Sequence, residues 1–279
     1  MHNINLWGYT IPCQALAPFE VDYLSNLPTA LPSVEWVWSE MDRVWDLFKL
    51  DNTRPLGEQA IVDFYSHPVW LMNGVFTELD PVSAGHRAAI ALYLNNIGAL
   101  NIADYGGGWG ALAQAVIKSG PECKVSIIEP FPSHVALDRM QSESRIAFID
   151  DFSSAPYNVI LAQDVLEHVE DPVGLVVSLV NAVEKEGYLI FANCFSSSIK
   201  CHLPATFYLR YQFRMLMKYA GLQFIEVIPG AEHAQVFRKV DDIDHNALMR
   251  ANKRAKSFGF LLNIVNEVPS RVKHKLLNL

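Results

Sequence analysis

The sequence predicts an α/β fold: a mostly parallel sheet with an antiparallel final strand, a helical N-terminal cap and a helical C-terminal extension. Three observations predict it. Between residues 101 and 194 short apolar runs alternate with helix-period segments, the pattern of a parallel sheet with right-handed crossovers. Residues 34–94 carry helical periodicity with a heavy aromatic load, and the pattern turns helical again after residue 243. Hydrophobic residues make up 51% of the 279 and charged residues 19%, which suits a packed core and excludes a disordered chain.

The elements follow in order. Pro12, Pro18, Pro28 and Pro32 break up the first 33 residues, which are expected to be irregular. Val34, Val37, Trp38, Met41, Val44, Trp45 and Phe48 then recur at three-and-four spacing behind Ser33, an N-cap residue. This is an amphipathic helix whose Trp38, Trp45 and Phe48 are expected in the core. A second helix is predicted over 56–65, before His67-Pro68. A third starts at Asp80-Pro81, a cap residue followed by proline, and runs to about 94. Strands are predicted at 101–105, 124–129, 145–149, 158–163 and 188–194, with helices beginning near Trp109, Ser133 and Pro172. A helix over 204–219 ends at Gly221, and strands at 222–228 and 235–240 form an antiparallel hairpin around Pro229-Gly230. The tail, 243–279, reads as mostly helical. The expected division is a cap and lid over 1–85, a ligand-binding sheet domain over 86–240 and a helical extension over 241–279.

Charge and cysteine usage narrow the function. Acidic residues outnumber basic ones by 30 to 22, so the chain repels nucleic acid phosphates. The basic residues Arg250, Lys253, Arg254, Lys256, Arg271, Lys273 and Lys275 read as a solvated helix face. Cys13, Cys123, Cys194 and Cys201 form no CxxC pair and are expected to be free thiols. Neither a signal peptide nor an apolar stretch of about 18 residues is found. The expectation is a cytoplasmic enzyme without membrane insertion or a nucleic acid partner.

The strongest local signal is Asp104-Tyr105-Gly106-Gly107-Gly108-Trp109-Gly110, between a strand and a helix. Glycines there let a ligand lie against the backbone, and the helix N-terminus offers unpaired N–H groups. Gly106, Gly108 and Ala111 also meet the G-x-G-x-x-A dinucleotide fingerprint, with Glu129 spaced for a ribose, so the glycine run alone leaves two ligand classes open. Asp104 favours one of them. A carboxylate at that point suits a ligand with an ammonium and a sulfonium group better than an anionic pyrophosphate.

The full spacing D-x-G-x-G-x-G, through Gly110, resembles motif I of the class I S-adenosylmethionine-dependent methyltransferases, small-molecule type. Later segments continue the resemblance in order, over about half the chain. It implies a Rossmann-like domain with S-adenosylmethionine as cofactor. By the same resemblance Glu129 accepts hydrogen bonds from the ribose hydroxyls and Phe131 packs on adenine. Of Asp150-Asp151-Phe152, Asp151 is expected near the adenine amino group, with Phe152 beside it. Gln163-Asp164-Val165-Leu166-Glu167-His168 resembles the family's "VLEH" segment, with Asp164 touching the methionyl part. Relatives with E-x-x-E-H hold a divalent cation there, so Asp164-x-x-Glu167-His168 is a candidate metal segment, and the use of a metal stays open.

Methyl transfer from a sulfonium is an in-line displacement, and a hydroxyl acceptor needs a base. His168 is the first candidate, after the strand edge where the methyl lies, and His202 the second. Arg87 is the candidate partner of the cofactor carboxylate. Trp36, Trp38, Trp45, Phe64, Tyr65 and Trp70 are dense enough to line an apolar pocket; Trp70, Asn73 and Phe76 are lid candidates, and Arg210 and Arg214 candidates for an anionic acceptor. The predicted function is methylation of a small-molecule acceptor, on oxygen before nitrogen or carbon. Two alternatives stand beside it: a nicotinamide-dependent oxidoreductase using the same loop, and a non-catalytic interaction protein.

Overall fold

The chain opens on a hairpin, β1 (Asn3–Leu6) and β2 (Tyr9–Pro12), where irregular structure was expected. Trp7 and Gly8 both take positive φ, 54° and 94°, which gives the tight turn a twist matching the strands. These statements and those below concern residues 3–120, 122–152 and 156–266 of the computed structural model. Pro18 then serves as the first residue of α1 (Pro18–Ser25) rather than as a breaker.

Ser33 caps α2 (Val34–Leu47) as predicted, its hydroxyl accepting from the Trp36 amide. The helix buries Val37, Met41, Val44 and Trp45, and this stripe turns Trp38 outward at 39% exposure. Trp38 is therefore not a core residue. α3 (Glu58–Tyr65) is followed by α4 (Val69–Leu79), which the sequence reading missed because His67-Pro68 looked like a break. Pro68 instead stands just before the first turn, where a missing N–H costs nothing. Asp80 ends α4 and caps α5 (Pro81–Asn96), accepting from Ser83 N at 2.8 Å.

The strand–helix alternation then unfolds as β3 (Asn101–Tyr105), α6 (Ala111–Ser119), β4 (Lys124–Ile128), α7 (His134–Met140), β5 (Ile146–Ile149), β6 (Tyr157–Gln163), α8 (Pro172–Ala182) and β7 (Val183–Ala192). β7 starts earlier than predicted, at Val183, because an irregularity with Glu186 at φ 66° lets polar Glu184–Glu186 continue the strand. The helix predicted over 204–219 is a 3-10 turn, Pro204–Thr206, followed by α9 (Leu209–Tyr219). β8 (Leu222–Ile228) and β9 (Ala231–Lys239) form the expected hairpin, and α10 (His245–Asn266) closes the described chain. Arg271, Lys273 and Lys275 lie outside the described residues.

The sheet order is β5-β4-β3-β6-β7-β9-β8, parallel except for β9. Chain progression reverses between β3 and β6, so a crevice opens at their carboxyl ends, where ligands of such sheets bind. One face packs Leu179, Phe191, Phe213 and Leu248 under α8, α9 and α10; the other packs Ile90, Leu94, Ile102 and Val116 under α5 and α6. A third core joins the cap residues Val37, Phe64, Met72 and Phe76 to Trp109, Val135 and Leu203. That third core holds the cap over the strand tips.

Candidate active site

A cavity of about 1060 Å³ lies between the cap and the carboxyl ends of the strands. Its floor is the glycine loop. Gly106 (φ 71°) turns the chain off β3 so tightly that a Cβ would sit 2.5 Å from Val165 Cγ2. Gly108 (φ 48°) has no such clash, a Cβ there coming no nearer than 3.9 Å to Glu129 Oε2, while its amide donates to that same oxygen at 2.9 Å. The loop thus leaves room against the backbone for a ligand.

Two carboxylates face this loop. Asp104, in β3 between β4 and β6, is 2% exposed, and its Oδ2 has no hydrogen-bond partner. Burial, then the charge of Glu129, pushes its pKa up to about 7. Glu129, at the end of β4, is raised by burial, while the amides of Phe131 (3.1 Å) and Gly108 work the other way. These bonds use one lone pair on each Glu129 oxygen and leave the others for a ligand. A buried, unpartnered carboxylate oxygen beside an anion-repelling neighbour calls for a cationic or hydrogen-donating ligand.

Above the loop stands an aromatic wall. Phe131 stacks on Tyr65 (centroids 5.7 Å, planes 14° apart), Tyr65 stacks on Trp70 (4.9 Å, 27°), and Trp70 meets His168 edge-on at 6.0 Å. Trp70 and Asn73 line the cavity from α4, whereas Phe76 turns into the cap core against Trp7 and is no lid residue. Arg87 also lines the cavity, but its guanidinium donates to the Thr77 and Glu78 carbonyls and so closes the end of α4.

Not every predicted residue reaches the cavity. Asp151 is exposed and Phe152 stacks on Tyr105 at 5.8 Å, and neither is part of the lining. Arg214 lies over Phe224 and donates to Gln235, and Arg210 lies over Tyr211, so both serve the outer surface. Gly110, at φ 77°, caps α6 and packs against Met140.

The segment after β6 splits in two directions. Asp164, at φ 51°, projects into the cavity; surrounding protein raises its pKa, against the pull of His233, Gln163, His202 and His86. Glu167 turns the other way and is fully buried. Its Oε1 accepts from Cys194 N at 2.6 Å and its Oε2 has no partner, and burial followed by Asp164 pushes it up to about 8. His168 lines the cavity with Nδ1 held by the Cys201 carbonyl at 3.1 Å; burial pushes it down to about 3. His202 packs behind His168, centroids 4.9 Å apart, with Nδ1 on the Ser196 carbonyl, and is not part of this cavity. Burial lowers the His202 pKa, but Cys194, the Ser196 carbonyl and Glu167 outweigh it. Donor atoms of Glu167, His168 and His202 lie within 4.8 Å of one another, close enough for one cation; Asp164 is not in that group.

Two features escaped the sequence reading. One is His233, at the start of β9, which lines the cavity beside His86 of α5. β9 begins at Ala231, not 235, and buries Ala231, Ala234 and Val236. The second is a clamp. Arg139 of α7 pairs with both carboxylate oxygens of Glu78 at the end of α4, and Trp109 Nε1 donates to Glu78 at 2.5 Å. The Arg139 guanidinium also lies 4.6 Å from the Trp109 ring.

A family model described as a methyltransferase domain matches residues 82–241. The ubiquinone biosynthesis O-methyltransferase of Vibrio cholerae is 20% identical over 195 residues, covering 67% of this chain and 70% of that one. Human N-acetylserotonin methyltransferase, solved with S-adenosylmethionine, superposes with a TM-score of 0.51 at 19% identity, over 74% of this chain and 67% of that one. An O-methyltransferase family protein from Burkholderia thailandensis gives 0.51 at 14% identity, over 76% and 71%.

Proposed function

The chain belongs to the methyltransferase-domain family, and from that premise we propose that it moves a methyl group from S-adenosylmethionine to an oxygen of a small-molecule acceptor. The observation that carries the reading is Asp104: a buried carboxylate oxygen without a partner, beside a glycine loop and Glu129. An ammonium or sulfonium satisfies it, and a pyrophosphate would add a third negative charge to Asp104 and Glu129. The nicotinamide-dependent alternative is set aside on that ground and on family membership. The non-catalytic alternative falls with it.

The bound cofactor supplies an electrophilic methyl group on a cationic sulfur. Asp104 would take the positive end, and Glu129 has free lone pairs for the ribose hydroxyls. Phe131, in its stack with Tyr65, offers a face to the adenine ring. Cap residues 1–85 cover the acceptor in this reading, with Tyr65 and Trp70 giving a flat apolar wall. Two of the relatives named above are O-methyltransferases, which supports oxygen as the atom methylated. Asp151 and His202 do not line this cavity, and this reading gives neither a part in it.

The test is direct. S-adenosylmethionine or S-adenosylhomocysteine raises the melting temperature, NAD does not, and Glu129→Ala removes the shift. Stabilisation by NAD alone overturns the reading.

A further inference from the structure

We propose that His233, paired with His86, is the proton acceptor for the hydroxyl being methylated; this rests on the reading above. Asp104 and Glu129 mark the tips of β3 and β4 as the cofactor's side of the crevice. The sheet continues on the other side of β3 through β6, β7 and β9. The acceptor therefore lies over that half. Its lining is polar: Gln163 at the end of β6, Asp164 after it, His233 on β9, and Ser83 and His86 on α5.

The two imidazoles face one another with centroids 4.6 Å apart and planes tilted by 54°. Neither makes a hydrogen bond among the described residues, in contrast to His168 and His202, whose Nδ1 atoms are occupied by backbone carbonyls. The nitrogens of the pair are therefore free for a ligand. Three charged or titratable groups act on His233: Asp164 from the loop after β6, His86 from α5 and Glu232 on its own strand. Burial first, and His86 second, hold His233 below the usual histidine range, while Asp164 and Glu232 oppose them. His233 is thus neutral at pH 7, and the Asp164 charge favours the imidazolium once a proton arrives.

In the step itself the acceptor O–H gives its proton to His233. The oxygen's electron pair forms the new O–CH₃ bond as the C–S bond breaks, and that pair stays on sulfur as a neutral thioether. The proton leaves His233 to solvent with the products. His86 acts through His233 and is a positioning residue.

The test uses 4-nitrophenol as an acceptor probe with the full-length protein saturated with S-adenosylhomocysteine. Proton transfer to His233 lets the bound probe ionise about one pH unit below the free phenol, seen as nitrophenolate absorbance. His233→Gln abolishes that shift, His86→Gln reduces it, and both variants keep their S-adenosylhomocysteine affinity within about twofold, which also shows that they fold. A probe that fails to bind, or that ionises alike in wild type and His233→Gln, overturns the proposal. Loss of S-adenosylhomocysteine binding by the wild type overturns the reading beneath it instead.

Discussion

Asp104 sets the pH behaviour of the site. Its carboxyl titrates near pH 7 in the empty protein and near the ordinary value of 3.8 when unfolded. The native state thus holds the proton more tightly, and this group's contribution to stability is lost as pH rises from about 4 to 7. Asp104→Asn should raise the melting temperature of the ligand-free protein at pH 8 while removing its response to S-adenosylmethionine. In the wild type, cofactor affinity should fall by about tenfold per pH unit below 7, as protonation removes the charge that receives the sulfonium. Calorimetric titration from pH 5.5 to 8.5 reads this, and a flat profile would exclude Asp104 as the gripping group. Asp104, Gly106, Gly108, Glu129 and Phe131 were legible as cavity-side residues because each group lies in one short segment at a strand tip, of β3 or of β4. His233 was not, since only the pairing of β9 with β7 brings it to the cavity, and Asp151, one of two adjacent acids, does not line it.

Caps and breaks decided which elements could be read. Ser33, Asp80, Ser133 and Asp171 all accept from the amide three residues on, and each helix they start was predicted. Asp171→Ala should therefore cost about 1 kcal/mol and lower the melting temperature by roughly 2–4 °C, with cofactor affinity unchanged, as scanning calorimetry with and without S-adenosylhomocysteine would show. α4 was missed because Pro68 reads alike before a helix and after one; its buried Val69, Met72, Val75 and Phe76 are evident only once the cap is assembled. The β1–β2 hairpin was missed for a related reason: Trp7 takes a left-handed φ that the sequence does not advertise.

For the molecule as a whole, the mostly parallel sheet and its antiparallel last strand were readable, whereas the sheet order and the way the cap attaches were not. Attachment depends on Glu78, Arg139 and Trp109, which are far apart in sequence and meet only across the crevice. Arg139 is 9% exposed there, so removing its partner leaves a nearly buried cation. Glu78→Ala should destabilise the protein by roughly 2–4 kcal/mol, and hydrogen exchange in α2–α4 should quicken more than in β3, β4 and β6. Uniform exchange across cap and sheet would show that the clamp does not join them. The same three residues bear on turnover. Trp109 belongs to the glycine loop, so the strap that fastens the roof is tied to the cradle beneath it. Tyr65 and Trp70 border the cavity that this strap roofs, so loosening the strap with Glu78→Ala should quicken release of the demethylated nucleoside, and an unchanged off-rate would show that the roof plays no part in egress.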